Sequence, residues 1–116
     1  MSAMRAIHKG DVLIVDLTVS AGREQNGVRP AVAVSGGELP GVVIVIPLTG
    51  TTEALRFPNT LAILPEKGNG LENQSVALMF HIRSVDKRRV MNIIGKLDVV
   101  TRKKIDTTLK RMLKLL

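Results

Sequence analysis

Short apolar runs rich in β-branched residues recur along most of this chain, separated by stretches rich in Gly, Pro and Asn. Such runs are typical of β-strands, and the residues between them are typical of turns. We therefore expect six strands, at 12–19, 30–35, 42–48, 60–65, 75–86 and beginning within 89–98. The third run, VVIVIPL, is apolar throughout, which predicts a strand covered on both faces.

The last part of the chain has the pattern of one amphipathic helix. Asp98 is a suitable N-cap, and apolar residues follow it at spacings of three and four. These apolar residues are Ile105, Leu109, Met112, Leu113 and Leu116. Successive strands followed by a single helix predict a mainly β (α+β) fold, a barrel or curled antiparallel sheet with the helix packed on it.

Length and composition limit the number of domains and the kinds of site that this chain can form. The 116 residues suffice for one domain, 1–116. The chain has no Cys and only two His, so we expect no disulfide, no zinc site and no cofactor. The opening MSAMRAIHKG lacks the apolar core of a signal peptide, and the longest apolar run is too short to span a membrane. A cytoplasmic location without a membrane partner is therefore expected.

Positive charge is concentrated in the last third of the chain. Residues 83–116 contain 11 Lys and Arg against 3 Asp and Glu, whereas residues 1–82 contain 6 against 7. This pattern suits a nucleic acid or an acidic protein, and it equally suits a solvated helix face. The only aromatic residues are Phe57 and Phe80, so RNA binding by rows of stacked aromatic side chains is not expected.

The stretch GREQNGVRP lies between the first two predicted strands and ends in Arg29-Pro30. If the second and third strands form an antiparallel hairpin, Arg29 before one strand and Thr49 after the other lie at the same end of the sheet. Arginine supplies a planar charged fork for phosphate, and threonine supplies a hydroxyl. A structural alternative is that Arg29 pairs with Asp16 or Glu24 and that Thr49 caps a turn.

Two ordered motifs carry a resemblance to a known family. "KGDVLIVDL" at 9–17 followed by "GREQNGVRPAVAVS" at 22–35 closely resembles the opening of MazF/PemK-type toxins of toxin–antitoxin systems. "VIVIPLTG" at 43–50, "LPEKGNGLENQSVAL" at 64–78 and the I-R-x-x-D block at 82–86 continue the match. The resemblance extends through the closing strand and helix, and so covers nearly all of the chain.

This resemblance implies an SH3-like β-barrel that forms a homodimer and cleaves single-stranded mRNA at short motifs without a metal. Attack by the 2′-OH would leave a 2′,3′-cyclic phosphate and a 5′-OH. The family's catalytic residues fall on Arg29 and Thr49, with Glu24 orienting Arg29 or assisting proton transfer. The resemblance also implies a cognate antitoxin, whose acidic segment would cover the basic groove and block Arg29.

RNA contacts are expected from the loops around this cleft and from the second motif: Arg23, Gln25, Gly27, Thr51, Thr52, Arg56, His81 and Arg83. The chain departs from the family pattern at Phe80-His81, where Glu-Gln is common, so a base preference cannot be transferred. This departure leaves a non-catalytic RNA-binding barrel as an alternative. A gyrase inhibitor resembling CcdB is a weaker alternative, because this chain lacks the Trp-Gly-Ile tail on which that activity depends.

Overall fold

The computed structural model describes residues 5–18 and 27–115, which form a curled antiparallel sheet with one C-terminal helix. Within these residues the strands are β1 Asp11–Asp16, β2 Val28–Ala33, β3 Val42–Thr49, β4 Thr60–Ile63, β5 Ser75–Leu78, β6 Arg83–Asp86 and β7 Val90–Lys96. The helix α1 is Val99–Met112, and short 3₁₀ turns lie at Thr52–Arg56, Met79–His81 and Lys87–Arg89.

The sheet is organised around β3. Its neighbours are β2 along one side and both β5 and β6 along the other, and every pairing is antiparallel. The order β4-β5-β3-β2-β1-β7 runs outward from this centre, and within the described ranges no pairing joins β4 to β7. The predicted fold class is therefore confirmed in its curled-sheet form, and the sheet remains open rather than closing into a barrel.

The predicted strand 75–86 is wrong as a single element. It is divided by the 3₁₀ turn Met79–His81, because its two halves pair with β3 in different registers. Leu48 pairs with Ala77, whereas Val45 pairs with Arg83 rather than with residue 80, so three residues are inserted between the two registers. The inserted residues turn out of the ladder with Met79 buried and Phe80 exposed.

Other boundaries differ by a few residues. β1 ends at Asp16 rather than at residue 19, and β2 begins at Val28, so Pro30 is its third residue and not its first. The predicted loop 49–59 contains the 3₁₀ turn Thr52–Arg56. The predicted N-cap is confirmed, since Asp98 Oδ1 accepts a hydrogen bond from the Thr101 N–H at 2.7 Å. Leu113 was expected in the apolar stripe but is 50% exposed, because the helix has ended there.

Apolar side chains cover both faces of the sheet. One cluster, which we call the inner core, contains residues of β1, β2, β3, β6 and β7, including Leu13, Ala31 and Val45. The other lies between the sheet and α1, and Ile105 joins Val32 and Ile46 there. Because β3 contributes to both clusters, the predicted covering of this strand on both faces is confirmed. Within the described residues, no helix is both long and apolar enough to cross a membrane.

Asp11 ties the N-terminal segment to the first strand. The carboxylate of this side chain is completely buried and accepts hydrogen bonds from Arg5 at 3.0 and 3.2 Å and from the His8 N–H at 2.7 Å. Burial acts to raise the pKa of Asp11, but the hydrogen bonds from Arg5 and His8 outweigh it and hold the pKa below its ordinary value. The charged form therefore stabilises the fold.

We expect Asp11→Asn to lower the free energy of unfolding by about 1–3 kcal/mol at pH 7, because it weakens a buried, charge-assisted network. The folded-state pKa is depressed, so the contribution is complete above about pH 3.9 and is lost as pH falls through the folded pKa. Urea denaturation at pH 7 and at lower pH measures both effects.

The matched control is Asp106→Asn, which removes the exposed ion pair with Lys9 at 3.2 Å. An exposed pair contributes about 0–1 kcal/mol. A loss in Asp11→Asn no larger than in this control, or one that does not shrink at acid pH, would contradict the assignment.

Candidate functional site

Arg29 and Thr49 lie at the same end of the β2–β3 pair. The strands are antiparallel, with Ala31 opposite Pro47 and Ala33 opposite Val45. Arg29 lies two residues before Ala31 and Thr49 lies two residues after Pro47, so both lie just beyond the last β2–β3 pair, at the same end of the sheet. The predicted hairpin and the placement of both residues at one end of the sheet are therefore confirmed, and their chemical roles remain a prediction.

The two side chains also share a face of the sheet. Side chains alternate along a strand, so Arg29 lies on the face of Ala31, and Thr49 lies on the face of Val45. Both reference residues belong to the inner core. Arg83 pairs with Val45 and alternates with Val85, another inner-core residue, so it projects to this face as well. The fold thus gathers two cations and one hydroxyl on one face.

The Thr49 side chain is held by the turn that follows it. It is only 7% exposed, and its Oγ1 accepts a hydrogen bond from the Thr51 N–H at 3.2 Å. A hydroxyl that accepts in this way still has its proton to donate to a ligand. The predicted turn-capping role of Thr49 is therefore present, and it is compatible with a catalytic role.

Thr49 lines an open pocket of about 290 Å³. Four of the residues predicted from the sequence line it, namely Thr49, Thr51, Arg56 and His81. The remaining lining residues were not predicted: Glu53, Ala54, Phe57, Leu78 and Phe80. Thr52 is exposed at the start of the adjoining 3₁₀ turn. We call this cavity the Thr49 pocket.

A second pocket of about 410 Å³ reaches the same end of the sheet, since Pro30 and Gly50 line it. Residues 70–75 also line it; the composition of the sequence predicted turns in this region but did not indicate a part of the site. Asn69 organises this loop. Its buried side chain donates to the Leu64 carbonyl at 3.0 Å and accepts from the Leu71 N–H at 3.0 Å. Because Pro30 alternates with Arg29 along β2 and Ile94 packs against the core beneath α1, this second pocket opens on the face of the sheet opposite Arg29 and Thr49.

Three of the predicted site residues, Arg23, Glu24 and Gln25, lie outside the described residues. Gly27 lies directly before β2, and its φ of +87° is a conformation that favours glycine. Its carbonyl accepts a hydrogen bond from the Leu17 N–H at 2.9 Å, which joins the residue after β1 to the residue before β2. The structure therefore gives Gly27 a backbone role beside the site.

Asp86, in the second family-like motif, has a structural role. Its carboxylate accepts hydrogen bonds from the Arg88 side chain and from the Arg88 N–H at 2.8 Å, and so caps a 3₁₀ turn. Hydrogen bonds from the Arg88 side chain, then from its backbone, lower the pKa of Asp86 to about 2. In the described part of the chain, no three His, Asp or Glu side chains lie close enough together to bind a metal ion.

Solved structures share this fold. MazF from Deinococcus radiodurans superposes with a TM-score of 0.79 at 24% identity, covering 95% of this chain and 98% of that one. An endoribonuclease from a mycobacterial species, solved in complex with its cognate antitoxin, has a TM-score of 0.69 at 22% identity, with 97% and 98% covered. The architecture is thus that of MazF toxins.

Sequence relationships give the family. A model of the "PemK-like, MazF-like toxin of type II toxin-antitoxin system" family matches residues 8–113. Endoribonuclease EndoA of Bacillus subtilis (strain 168) is 33% identical over 113 residues, covering 95% of this chain and 97% of EndoA. This chain belongs to the family of PemK-like, MazF-like toxins of type II toxin–antitoxin systems.

The wall of the second pocket depends on close packing at Gly70. This residue has φ +72°, and an added Cβ would overlap the Ile94 carbonyl oxygen of β7. Gly68 also has a positive φ, +94°, but an added Cβ would meet no atom within 4 Å. We expect Gly68→Ala to cost about 1–2 kcal/mol through its left-handed backbone, and Gly70→Ala to cost about 1–3 kcal/mol more through overpacking.

Urea denaturation of the two variants measures this difference, with Gly68→Ala as the matched control. Equal losses of stability in the two variants would show that the loop does not pack against β7 as described.

Proposed function

We propose that this toxin is an endoribonuclease that cuts single-stranded mRNA and thereby inhibits translation and growth. The observation that carries the proposal is the placement of Arg29 and Thr49 on one face and at one end of the sheet, where Thr49 lines an open pocket. The relationship to Endoribonuclease EndoA over nearly the full length of both chains supports it.

The proposed reaction uses the nucleophile that RNA itself carries. The 2′-oxygen attacks the adjacent phosphorus, the P–O5′ bond breaks, and the products are a 2′,3′-cyclic phosphate and a 5′-OH. The 2′-OH loses one proton, which Glu24 accepts, and the leaving 5′-oxygen gains one from Arg29; return of the proton from Glu24 to Arg29 restores both groups. Because positioning and charge stabilisation supply the catalysis, we expect no requirement for a metal.

Arg29 and Thr49 have complementary roles in this reaction. The guanidinium of Arg29 stabilises the charge that develops on the phosphorane oxygens and delivers the proton to the 5′-oxygen. The Thr49 hydroxyl donates a hydrogen bond to a non-bridging oxygen. We assign Glu24, five residues before Arg29 in the sequence, to orient Arg29 and assist proton transfer.

RNA on either side of the scissile phosphate would contact the surrounding polar groups. Thr51, Arg56 and His81 line the Thr49 pocket, and Arg83 shares the face of Arg29. Thr52, Gly27, Arg23 and Gln25 complete the proposed contact set. Such contacts to an unpaired strand suit a sequence-selective ribonuclease, because unstacked bases expose their edges to the protein.

We expect Arg29→Ala to lose cleavage of a long single-stranded RNA by at least about 100-fold in EDTA, since removing a donor to a developing oxyanion typically costs this much. Mapping of the new 5′ ends should give 5′-OH termini at discrete positions with wild-type protein. DNA of the same sequence should remain uncut, because it lacks the 2′-OH.

The matched control is Arg111→Ala, which removes an exposed arginine from α1 on the opposite face of the sheet. Both variants are compared at equal folded fraction, measured by thermal denaturation. Uncut RNA with a folded wild-type dimer would overturn the ribonuclease proposal and favour a non-catalytic RNA-binding protein.

A cognate antitoxin and a second toxin copy complete the proposal. The mycobacterial endoribonuclease was solved with its cognate antitoxin, and MazE–MazF complexes from Deinococcus radiodurans share this fold. We propose that an acidic antitoxin segment covers the groove and blocks Arg29, that the toxin is a homodimer, and that it acts in the cytoplasm, where mRNA is translated.

We expect antitoxin binding to weaken as salt rises, because attraction between an acidic segment and a basic groove is screened over about 10 Å at 0.1 M ionic strength. Isothermal titration calorimetry across a NaCl series measures the dissociation constant. Sedimentation of the free toxin at each salt concentration controls for dissociation of the homodimer. A dissociation constant that does not change with salt would remove the electrostatic part of the proposal.

A further inference from the structure

The two aromatic residues of this chain lie together on its surface. Phe57 is 47% exposed and Phe80 is 43% exposed, while the buried core consists of aliphatic side chains and Met79. Aromatic side chains ordinarily contribute large areas to a core. A small domain that leaves both of its phenylalanines out of the core has a surface feature that requires its own explanation.

The two rings belong to a cluster of four flat groups. Phe57 and Phe80 meet edge to face, with centroids 6.3 Å apart and planes at 78°. The His81 ring lies 4.7 Å from that of Phe80, and the Arg56 guanidinium carbon lies 5.0 Å from the centroid of Phe57. We call Arg56, Phe57, Phe80 and His81 the aromatic cluster.

Two irregular segments hold this cluster in place. Phe80 and His81 belong to the three-residue insertion that separates β5 from β6, and buried Met79 anchors that insertion. Phe57 ends the 3₁₀ turn, where its N–H donates to Ala54 and its carbonyl accepts from Thr60. The Met79 N–H donates to the Asn59 carbonyl at 3.1 Å and joins the two segments. The cluster is therefore preorganised.

All four members of the cluster line the Thr49 pocket. At about 290 Å³ it is just below the roughly 300–1,000 Å³ typical of pockets for drug-sized ligands, so it suits one small flat group. Glu53 supplies a hydrogen-bond acceptor at its edge and Arg56 a donor. The apolar ring faces match a nucleobase, and the polar groups beside them match its edge. The neighbouring Thr49 hydroxyl, which we propose contacts phosphate, matches the phosphate of the same nucleotide.

We propose that the aromatic cluster is a stacking subsite for one unpaired nucleobase of the RNA, adjacent to the phosphate held at Thr49. This inference rests on the proposed ribonuclease function and deepens it. Every nucleobase presents a π-face to an aromatic ring, and stacking of this kind contributes strongly to binding of single strands. The base edge can meanwhile reach Glu53 and Arg56, which supply discrimination among bases.

Binding is measured in an Arg29→Ala background, so that the RNA is not cut during the titration. The probes are fluorescein-labelled single-stranded RNAs of about 12 nucleotides, containing only A, only C or only U. Each has a matched abasic oligomer with the same ribose-phosphate backbone and no bases. Comparing the two separates base stacking from attraction to phosphate.

We expect Phe57→Leu and Phe80→Leu each to weaken binding of at least one base-bearing RNA by about fivefold or more, the lower end of the stacking range. Binding of the abasic oligomers should change by less than about twofold. Leucine keeps apolar bulk at both positions, so thermal denaturation should show little change. Val99→Ala, at an exposed apolar position at the start of α1, should leave binding of all probes unchanged.

Equal weakening of base-bearing and abasic RNA, or no weakening of either, would overturn the subsite. So would loss of antitoxin binding with unchanged RNA binding, because the cluster would then dock the antitoxin. Cleavage is assayed separately with Arg29 intact. Failure of the wild-type protein to cut RNA would overturn the ribonuclease proposal, whereas the stacking result depends only on binding.

Discussion

Strand β3 is the element on which the rest of the structure depends, because it is paired along both sides and covered on both faces. Its eight residues pair with β2 on one side and with β5 and β6 on the other. Its side chains enter the inner core and the core beneath α1 in alternation. Thr49, the last residue of this strand, is therefore held from several directions.

The change of register along β3 shapes the site. β5 and β6 both pair with β3, but their registers differ by three residues. The chain between β5 and β6 must therefore leave the hydrogen-bonded ladder. The displaced residues carry Phe80 and His81 to the Thr49 pocket. A local irregularity of the sheet thus supplies side chains that a regular strand would have placed in the cores, as irregularities beside functional sites commonly do.

Most of the strands and the helix were predictable because each has a local signal. Alternating or continuous apolar runs indicated the strands, and the Asp98 cap indicated the start of α1. The antiparallel β2–β3 hairpin followed from the short connection between two strands, and it was sufficient to bring Arg29 and Thr49 to the same end of the sheet. The Phe57–Phe80 contact was not predictable, because it joins residues 23 positions apart through two irregular turns.

The distribution of basic residues along the sequence also did not predict where they lie relative to the site. The sequence concentrates its basic residues in the last third, yet α1, which carries many of them, packs on the sheet face opposite Arg29, Thr49 and Arg83. The sequence by itself determined the family, the strand-rich architecture, the C-terminal helix and the pair Arg29 and Thr49, since these depend on local patterns and ordered motifs. Only the tertiary structure decided that the sheet stays open and that a 3₁₀ turn divides the predicted strand 75–86. It also decided that both phenylalanines line the Thr49 pocket. These features depend on pairing registers between distant segments, which no local pattern encodes.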